Sequence, residues 1–285
     1  MKKILLGVLM MLAVSSNASS QNMNVMTFNI RYNTDRDSVN AWPNRKEFAA
    51  SQIRFHKIQV LGVQEALSGQ IQDLLQLLPG FKYVGVGRDK GDDKGEFSAI
   101  LYDSTRLTVL EQSTFWLSET PSIAGSRGWD AAFPRIVTWA KFKDKRTKKT
   151  FYLFNTHFDH MGKLARRSSA SLLLTKIEEI AKKHAVIVTG DFNAEPTDEP
   201  IKIITDPSNP LRLIDTKAVA EQGHYGPGGT FNGFQSKESS DQPIDYIFIK
   251  GGKFKIIQHA TLSQTWKGRF SSDHFPVMAE VVSSE

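Results

Sequence analysis

The chain has no cysteine in its 285 residues, so an exported form could be neither stapled by disulfides nor anchored through a lipidated cysteine. Long apolar runs are missing as well. The stretch Ile4–Val14 is too short to cross a bilayer, and the sequence offers no long exposed apolar hairpin of the kind that enters lipid. Neither a low-complexity tract nor a Pro/Gly-rich linker divides the chain, which leaves one large domain as the expectation. Charge of one sign is not in strong excess. The formal net charge is +6, and without Lys2 and Lys3 the remaining 34 basic residues face 30 acidic ones. Such a chain tolerates a polyanion without requiring one.

The N-terminus has the order of an export signal. Lys2 and Lys3 precede the apolar stretch, and the small residues Ser16-Asn17-Ala18 follow it. This predicts cleavage after Ala18, a single domain over residues 19–285 and a secreted or periplasmic location. A hydrophobic fraction of 40% gives that domain material for a substantial core.

Beyond the signal, short apolar strands alternate with amphipathic helices. Strands are expected at Asn24–Asn29 and Gln59–Gln64, with a helix between them that Pro43 opens and that runs to about His56. Pro79-Gly80 halts a second helix, Ser68–Leu78. From Phe81 to Thr156 the pattern is one of consecutive strands, including Ser98–Tyr102, Leu107–Thr114, Ile136–Phe142 and Phe151–Thr156. Leu164–Lys183 reads as the clearest helix and feeds a buried strand, Ala185–Thr189. Strands return at Ile244–Lys250, Phe254–Leu262 and Val277–Val282. Halves of this kind pack most readily as two sheets face to face with helices outside.

The polar ends of those strands hold the chemistry. Ala185–Thr189 ends in Gly190-Asp191-Phe192-Asn193, which points Asp191 and Asn193 out of the sheet in one direction. A carboxylate and an amide carbonyl suit a hard cation such as Mg²⁺ or Mn²⁺, with the amide NH₂ left for a phosphate oxygen. In isolation an ordinary strand-ending turn would look the same. Glu65 closes the apolar run Val60–Gln64, where a carboxylate is costly unless paired or bound to a cation. His274, restrained by Pro276, suits a general base if one ring nitrogen meets a carboxylate, and Asp245 is the expected partner. In each half a strand with a polar end, Asn29 or His157, leads through a helix to a strand ending in an acid, Glu65 or Asp191. Two packed sheets would bring these four ends to one cleft. Hydrolysis of a phosphate ester needs a cation, a base for water and a donor for the leaving oxygen, and this inventory holds all three.

Taken together, Thr27-Phe28-Asn29-Ile30, Gln64-Glu65, Asn155-Thr156-His157, Gly190-Asp191-Phe192-Asn193, Asp245-Tyr246 and Ser272-Asp273-His274 resemble, in order and rough separation, the motifs of the endonuclease/exonuclease/phosphatase superfamily over Asn24–Val282. The resemblance implies an α/β fold, a deoxyribonuclease-like four-layer α/β/β/α sandwich. It implies Glu65 as the principal Mg²⁺ ligand, with Asn29 and Asp273 completing the metal site. Asp191 and Asn193 would orient water and phosphate, His274 held by Asp245 would act as base or phosphate contact, and His157 would be a second histidine against the phosphate. Arg31 and His157 depart from the apurinic-site endonucleases, which usually have an acid at the first of these places and no histidine at the second. The segments Arg127–Asp130, Phe133–Arg135 and His157–His160 are most similar to a bacterial secreted subgroup.

Arg135 is a candidate phosphate ligand through its two-pronged guanidinium. Arg166, beside Arg167 at the start of the long helix, is another, against the competing reading of a solvated helix face. The basic run Lys141–Lys149 reads as a hairpin tip. Trp116, Trp129, Phe158 and Trp266 fall in loops or at strand ends near the expected cleft; core or loop packing is the default for each, and stacking on a base or a sugar is the alternative. The expected activity is that of a secreted Mg²⁺-dependent phosphoesterase, on diesters before monoesters, with nucleotide, nucleic acid, phosphosugar or lipid-head-group substrates and no obligate protein partner. A phosphomonoesterase on inositol- or sugar-phosphates and a non-catalytic polyanion-binding protein are the alternatives. The joint presence of Glu65, Asp191 and His274 counts against the latter.

Overall fold

Strands that are apolar on both faces must be covered on both faces, and this requirement fixes the layering. The computed structural model describes residues 22–235, 240–251 and 253–283, so the expected export signal and its cleavage point lie outside the described residues. The strands in chain order are β1 (Asn22–Asn29), β2 (Val60–Gln64), β3 (Phe81–Val84), β4 (Ile100–Asp103), β5 (Leu107–Trp116), β6 (Ile136–Asp144), β7 (Thr150–His157), β8 (Ala185–Asp191), β9 (Ile214–Asp215), β10 (His224–Tyr225), β11 (Asp245–Ile249), β12 (Phe254–Thr261) and β13 (Val277–Ser283). They form a seven-stranded sheet, β10-β12-β13-β1-β2-β4-β3, and a six-stranded sheet, β5-β6-β7-β8-β11-β9.

The helices are α1 (Lys46–Phe55), α2 (Ser68–Leu77), α3 (Lys163–Ala181), α4 (Glu199–Thr205) and α5 (Thr216–Val219). Helices α1 and α2 bury Ile53, Ile71 and Leu74 against Phe28, Leu61 and Val63 on the outer face of the first sheet. Helices α3 and α4 do the same for the second, packing Leu173, Ile177 and Ile204 on Phe154, Val188 and Phe248. A third core fills the space between the sheets. The four-layer α/β/β/α sandwich expected from the resemblance is the fold found. One boundary moves: Trp42-Pro43-Asn44 forms a separate 3-10 turn, and α1 starts at Lys46 because Arg45, at φ −128°, breaks the helical run.

The seam between the sheets is graded. Along β1 and β2, parallel partners, the inward pairs run Val25–Val60, Thr27–Gly62 and Asn29–Gln64. Along β7 and β8, also parallel, they run Leu153–Ile187, Asn155–Thr189 and His157–Asp191, and antiparallel β11 adds Ile249, Ile247 and Asp245 beside β8. Because side chains alternate with period two, these registers stack the inward residues in tiers. The lowest tier is apolar. Gln64, opposite Asn29, reaches down into the middle tier, where its Nε2 donates to Thr27 Oγ1 at 3.0 Å and to Asn155 Oδ1 at 2.7 Å. Asn155 Nδ2 donates to the carbonyls of Val63 and Ala99, both at 2.9 Å, and Thr189 Oγ1 donates to Asn155 Oδ1 at 3.0 Å. Gly62 is required there, since a Cβ would sit 2.2 Å from Asn155 Oδ1 and Thr189 Oγ1. The uppermost tier is the candidate site.

Candidate active site

Arg31, Glu65 and Asn193, each at or just beyond a strand end, have φ of 55°, 59° and 46°. A left-handed backbone costs a non-glycine residue about 1–2 kcal/mol and persists only where the surroundings hold it. At all three places it turns the chain abruptly out of the sheet and into the cleft.

Asp191, fully buried, sits at the centre. Asn29 Nδ2 donates to Asp191 Oδ2 at 2.9 Å and to Glu65 Oε1 at 3.1 Å, and lies 3.5 Å from His274 Nε2. His274 Nδ1 donates to Asp245 Oδ2 at 2.9 Å, and the Thr230 hydroxyl donates to the same oxygen at 2.6 Å. The far edge of the imidazole faces Asp191, with Nε2 3.8 Å from Oδ2. Phe231 packs edge-on against the ring, centroids 5.0 Å apart. The pairing of His274 with Asp245 anticipated from sequence is therefore present.

Burial opposes charge on His274, but the carboxylates of Asp245 and Asp191 outweigh it and raise its pKa well above the ordinary value. Asp191 is pushed up to about 7, first by burial and then by the charge of Asp245. His157 goes the other way: burial, then Arg135 and Arg88, hold it far below its usual value and thus neutral. Asn193 Nδ2 gives its hydrogens to His157 Nε2 and to the Phe158 carbonyl, both at 3.0 Å. The NH₂ group that sequence reasoning left for a phosphate oxygen is thus already engaged, because the turn folds the amide back onto β7.

Two donor sets in this tier could hold a cation. Asp191, Asp245 and His274 offer ligand atoms within 4.8 Å of one another. Their geometry reads better as a hydrogen-bonded relay, since His274 Nδ1 and the Thr230 hydroxyl already take Asp245 Oδ2. Glu65 and Asp273 differ. Both are buried or half-buried acids facing the Arg31 guanidinium at 3.8 Å, beyond hydrogen-bond range. Two carboxylates turned toward one positive charge without bonding it are suited to a hard divalent ion.

The cleft above this tier has a volume of about 580 Å³ and is lined by Glu65, His157, Asp191, Asn193, Asp273 and His274, and further by Arg31, Tyr32, Arg88, Glu96, Phe133, Arg135, His160, Phe231 and Ile244. Asn29 and Asp245 are buried beneath it. Arg135 Nε donates to Asp159 at 3.2 Å, and Nη2 lies 3.1 Å from His160 Nδ1. Arg135 Nη1 is buried without a hydrogen-bond partner, as is Arg88 Nε. Arg88 also bonds Glu96 at 2.6 Å and lies over the Phe133 ring, 5.0 Å from its centroid. Phe133 in turn stacks on His160 at 5.9 Å.

Other candidates did not land here. Arg166 does not line the cleft, because its guanidinium donates to the Asp159 carbonyl at 2.9 Å, and Arg167 pairs with Glu199. Trp116 is buried with its indole N–H on the Arg88 carbonyl, Phe158 packs on Phe192 in the core, and Trp129 is half-buried away from the lining. Trp266 belongs to a separate groove. The rings at the cleft are Tyr32, Phe133 and Phe231. Sequence reasoning passed over Arg88, Glu96, His160 and Thr230. Only the glycines around Arg88, which mark a tight loop, hinted that this segment folds back on itself.

A model of the Endonuclease/Exonuclease/phosphatase family matches residues 26–274. The chain belongs to that family. Among solved structures, a Bacteroides thetaiotaomicron endonuclease/exonuclease/phosphatase family protein is 36% identical, with a TM-score of 0.87 over 92% of this chain and 98% of the other. A mannosyl-6-phosphatase of the same organism is 37% identical, with a TM-score of 0.86 over 91% of this chain and 99% of the other. The catalytic domain of human nocturnin, with a bound sulfate, shares the fold at 20% identity and a TM-score of 0.72, over 92% and 94% of the two chains. As a member of this family the protein is a metal-dependent phosphoesterase. Among the described residues no helix is long and apolar enough to cross a membrane.

Proposed function

We propose that the protein is a secreted, Mg²⁺-dependent phosphomonoesterase acting on phosphorylated sugars. The observation that carries this reading is the pair of arginines, Arg88 and Arg135, that line the same cleft as the acidic tier. A terminal phosphate is a dianion at neutral pH, whereas a diester has one charge and a second bulky substituent. Two guanidinium groups beside a cation site therefore favour the monoester over the diester that the sequence alone placed first. Glu96 and the Phe133 ring add an acceptor for hydroxyl groups and a flat apolar face, a combination suited to a sugar. The similar structure described as a mannosyl-6-phosphatase supports the same substrate class. Secretion rests on the N-terminal pattern of Lys2, Lys3, Ile4–Val14 and Ala18.

Glu65, Asp273 and Asn29 are the residues that would hold the ion. When bound, Mg²⁺ supplies charge that offsets the phosphoryl oxygens and the departing alkoxide. The remaining work belongs to side chains of this chain. Arg135 and Arg88 bind the substrate's phosphate and the hydroxyls next to it. His274, kept protonated by Asp245, donates from Nε2 to a phosphoryl oxygen. Asp191, titrating near neutrality, accepts a proton from the attacking water. Asn193 fixes neutral His157, whose ring then donates from Nδ1.

The deciding experiment compares phosphate release from mannose 6-phosphate and glucose 6-phosphate with cleavage of bis-para-nitrophenyl phosphate, each with Mg²⁺ and with EDTA. Mg²⁺-dependent turnover of the sugar phosphates, above that of the diester, is expected. Faster cleavage of the diester would return the reading to phosphodiesters, and binding without turnover of any ester would reject catalysis.

A further inference from the structure

Outside the candidate cleft, a groove of about 460 Å³ has Val39, Arg45, Phe48, Trp266, Lys267 and Arg269 in its lining. Several contacts pin the loop that forms its floor. Trp266 stays 48% exposed, yet its ring lies flat on buried Phe48, with centroids 4.5 Å apart and planes 13° from parallel. Backbone bonds run both ways between Trp266 and Arg269, at 2.9 and 3.0 Å, around a two-residue turn in which Lys267 and Gly268 have φ of 51° and 73°. Arg269 is tied across the groove to the Val39 carbonyl at 3.3 Å. Three of the lining residues are basic and none is acidic. A large ring held in place before binding loses little freedom when a ligand covers it.

We infer that this groove is a second binding site, for a saccharide bearing an anionic group. The C–H face of a sugar ring packs on the indole of Trp266, and Lys267 and Arg269 meet the anion. The chemistry selects among occupants. A single-stranded nucleic acid is held by successive aromatic platforms along a basic track, but here one exposed ring stands in a short concavity. A lipid surface calls for a projecting apolar face, whereas this ring lies flat on Phe48 within a concavity. The groove also joins the catalytic tier through one side chain. Arg45 reaches from it to donate to the carbonyls of Arg31 and Ser271, at 2.8 and 3.1 Å, and Arg31 lines the cleft. The choice of saccharide rests on the sugar-phosphate reading of the cleft; the site itself does not.

The test measures binding, in EDTA to suppress turnover, of a mannose oligosaccharide bearing a 6-phosphate, its dephosphorylated counterpart, oligothymidylate and anionic phospholipid vesicles. Trp266→Ala is expected to weaken the phosphorylated oligosaccharide about tenfold, the equivalent of ~1.4 kcal/mol. Lys267→Ala with Arg269→Ala should weaken it while leaving the dephosphorylated form unchanged, and Trp266→Phe should retain part of the affinity. All of these variants should cleave para-nitrophenyl phosphate at the wild-type rate. Undiminished binding in both Trp266→Ala and the double basic variant overturns the inference, as does wild-type binding confined to oligothymidylate or vesicles. If small sugar phosphates are not hydrolysed while oligosaccharide binding still depends on Trp266, the reading of the cleft fails and that of the groove stands. The reverse pattern leaves the cleft and removes the groove.

Discussion

The two ends of the inter-sheet seam are made by the same strands and have opposite chemistry. At one end Val25, Val60, Leu153, Ile187 and Ile249 pack without a polar group among them. Two steps of two residues further along, the same faces present Asn29, His157, Asp191 and Asp245. The apolar end supplies stability in proportion to the area it removes from water. The polar end buries carboxylates close enough that Asp191 titrates near 7, which works against folding. The comparison teaches that the candidate site is seated where the fold is least favourable, and that the hydrogen-bonded middle tier of Thr27, Asn155 and Thr189, into which Gln64 reaches, separates the two.

The comparison breaks most visibly in turnover. His274→Ala and Glu65→Ala are each expected to lower the rate of phosphate release by about 10²–10⁴-fold with little loss of melting temperature. Wild-type rates in both would remove the upper tier from the mechanism. The converse change is Ile187→Ala, which should cost about 2–5 kcal/mol by denaturant titration while the folded fraction keeps its turnover number. In the middle tier, Gly62→Ala forces a methyl onto Asn155 and Thr189 and should destabilise by about 1–3 kcal/mol. An unchanged denaturation midpoint would show that this tier yields more readily than its packing indicates.

A smaller effect sits at the edge of the first sheet. Buried His259, whose Nδ1 is 2.9 Å from His224 Nδ1, is pushed down to about 3 by burial and then by His224 and Lys217. Between pH 6.5 and about 3 the unfolded chain therefore binds a proton that the folded one does not. Stability is full above that window and falls on acidification, by at most roughly 1.4 kcal/mol per pH unit. His259→Gln should flatten the slope measured by thermal denaturation between pH 7 and 5; an identical slope would assign it elsewhere. The least effect is expected from Arg166→Ala, whose side chain meets a carbonyl outside the lining. A large rise in KM in that variant would place it in the substrate's path.

Much of this was legible in the chain because strands write their faces with period two. The passage from Ile187 through Thr189 to Asp191 states both the burial and the polar end, and Asn29, Glu65 and His157 follow the same grammar. The four-layer packing follows from strands that need two covers. Residues on the loops were not legible in that way. Arg88 reaches the cleft through a segment shaped by Gly85, Gly91 and Gly95 at positive φ, and turns of this kind have no period from which a direction can be read. Arg166 was misplaced for a related reason. Its position along the chain suited a cleft, but its guanidinium found the Asp159 carbonyl first.

The measurement that bears most directly on the account is phosphate release from a sugar phosphate as Mg²⁺ is titrated into metal-free wild-type protein and metal-free Glu65→Gln. Wild-type protein should be inactive without the ion and rise to saturation. Glu65→Gln should need at least about tenfold more Mg²⁺ or remain inactive, the scale expected for losing a ligand at a hard-cation site. Equal activity of the two proteins, or full activity of either in EDTA, would contradict a cation held by Glu65 at the polar end of the seam.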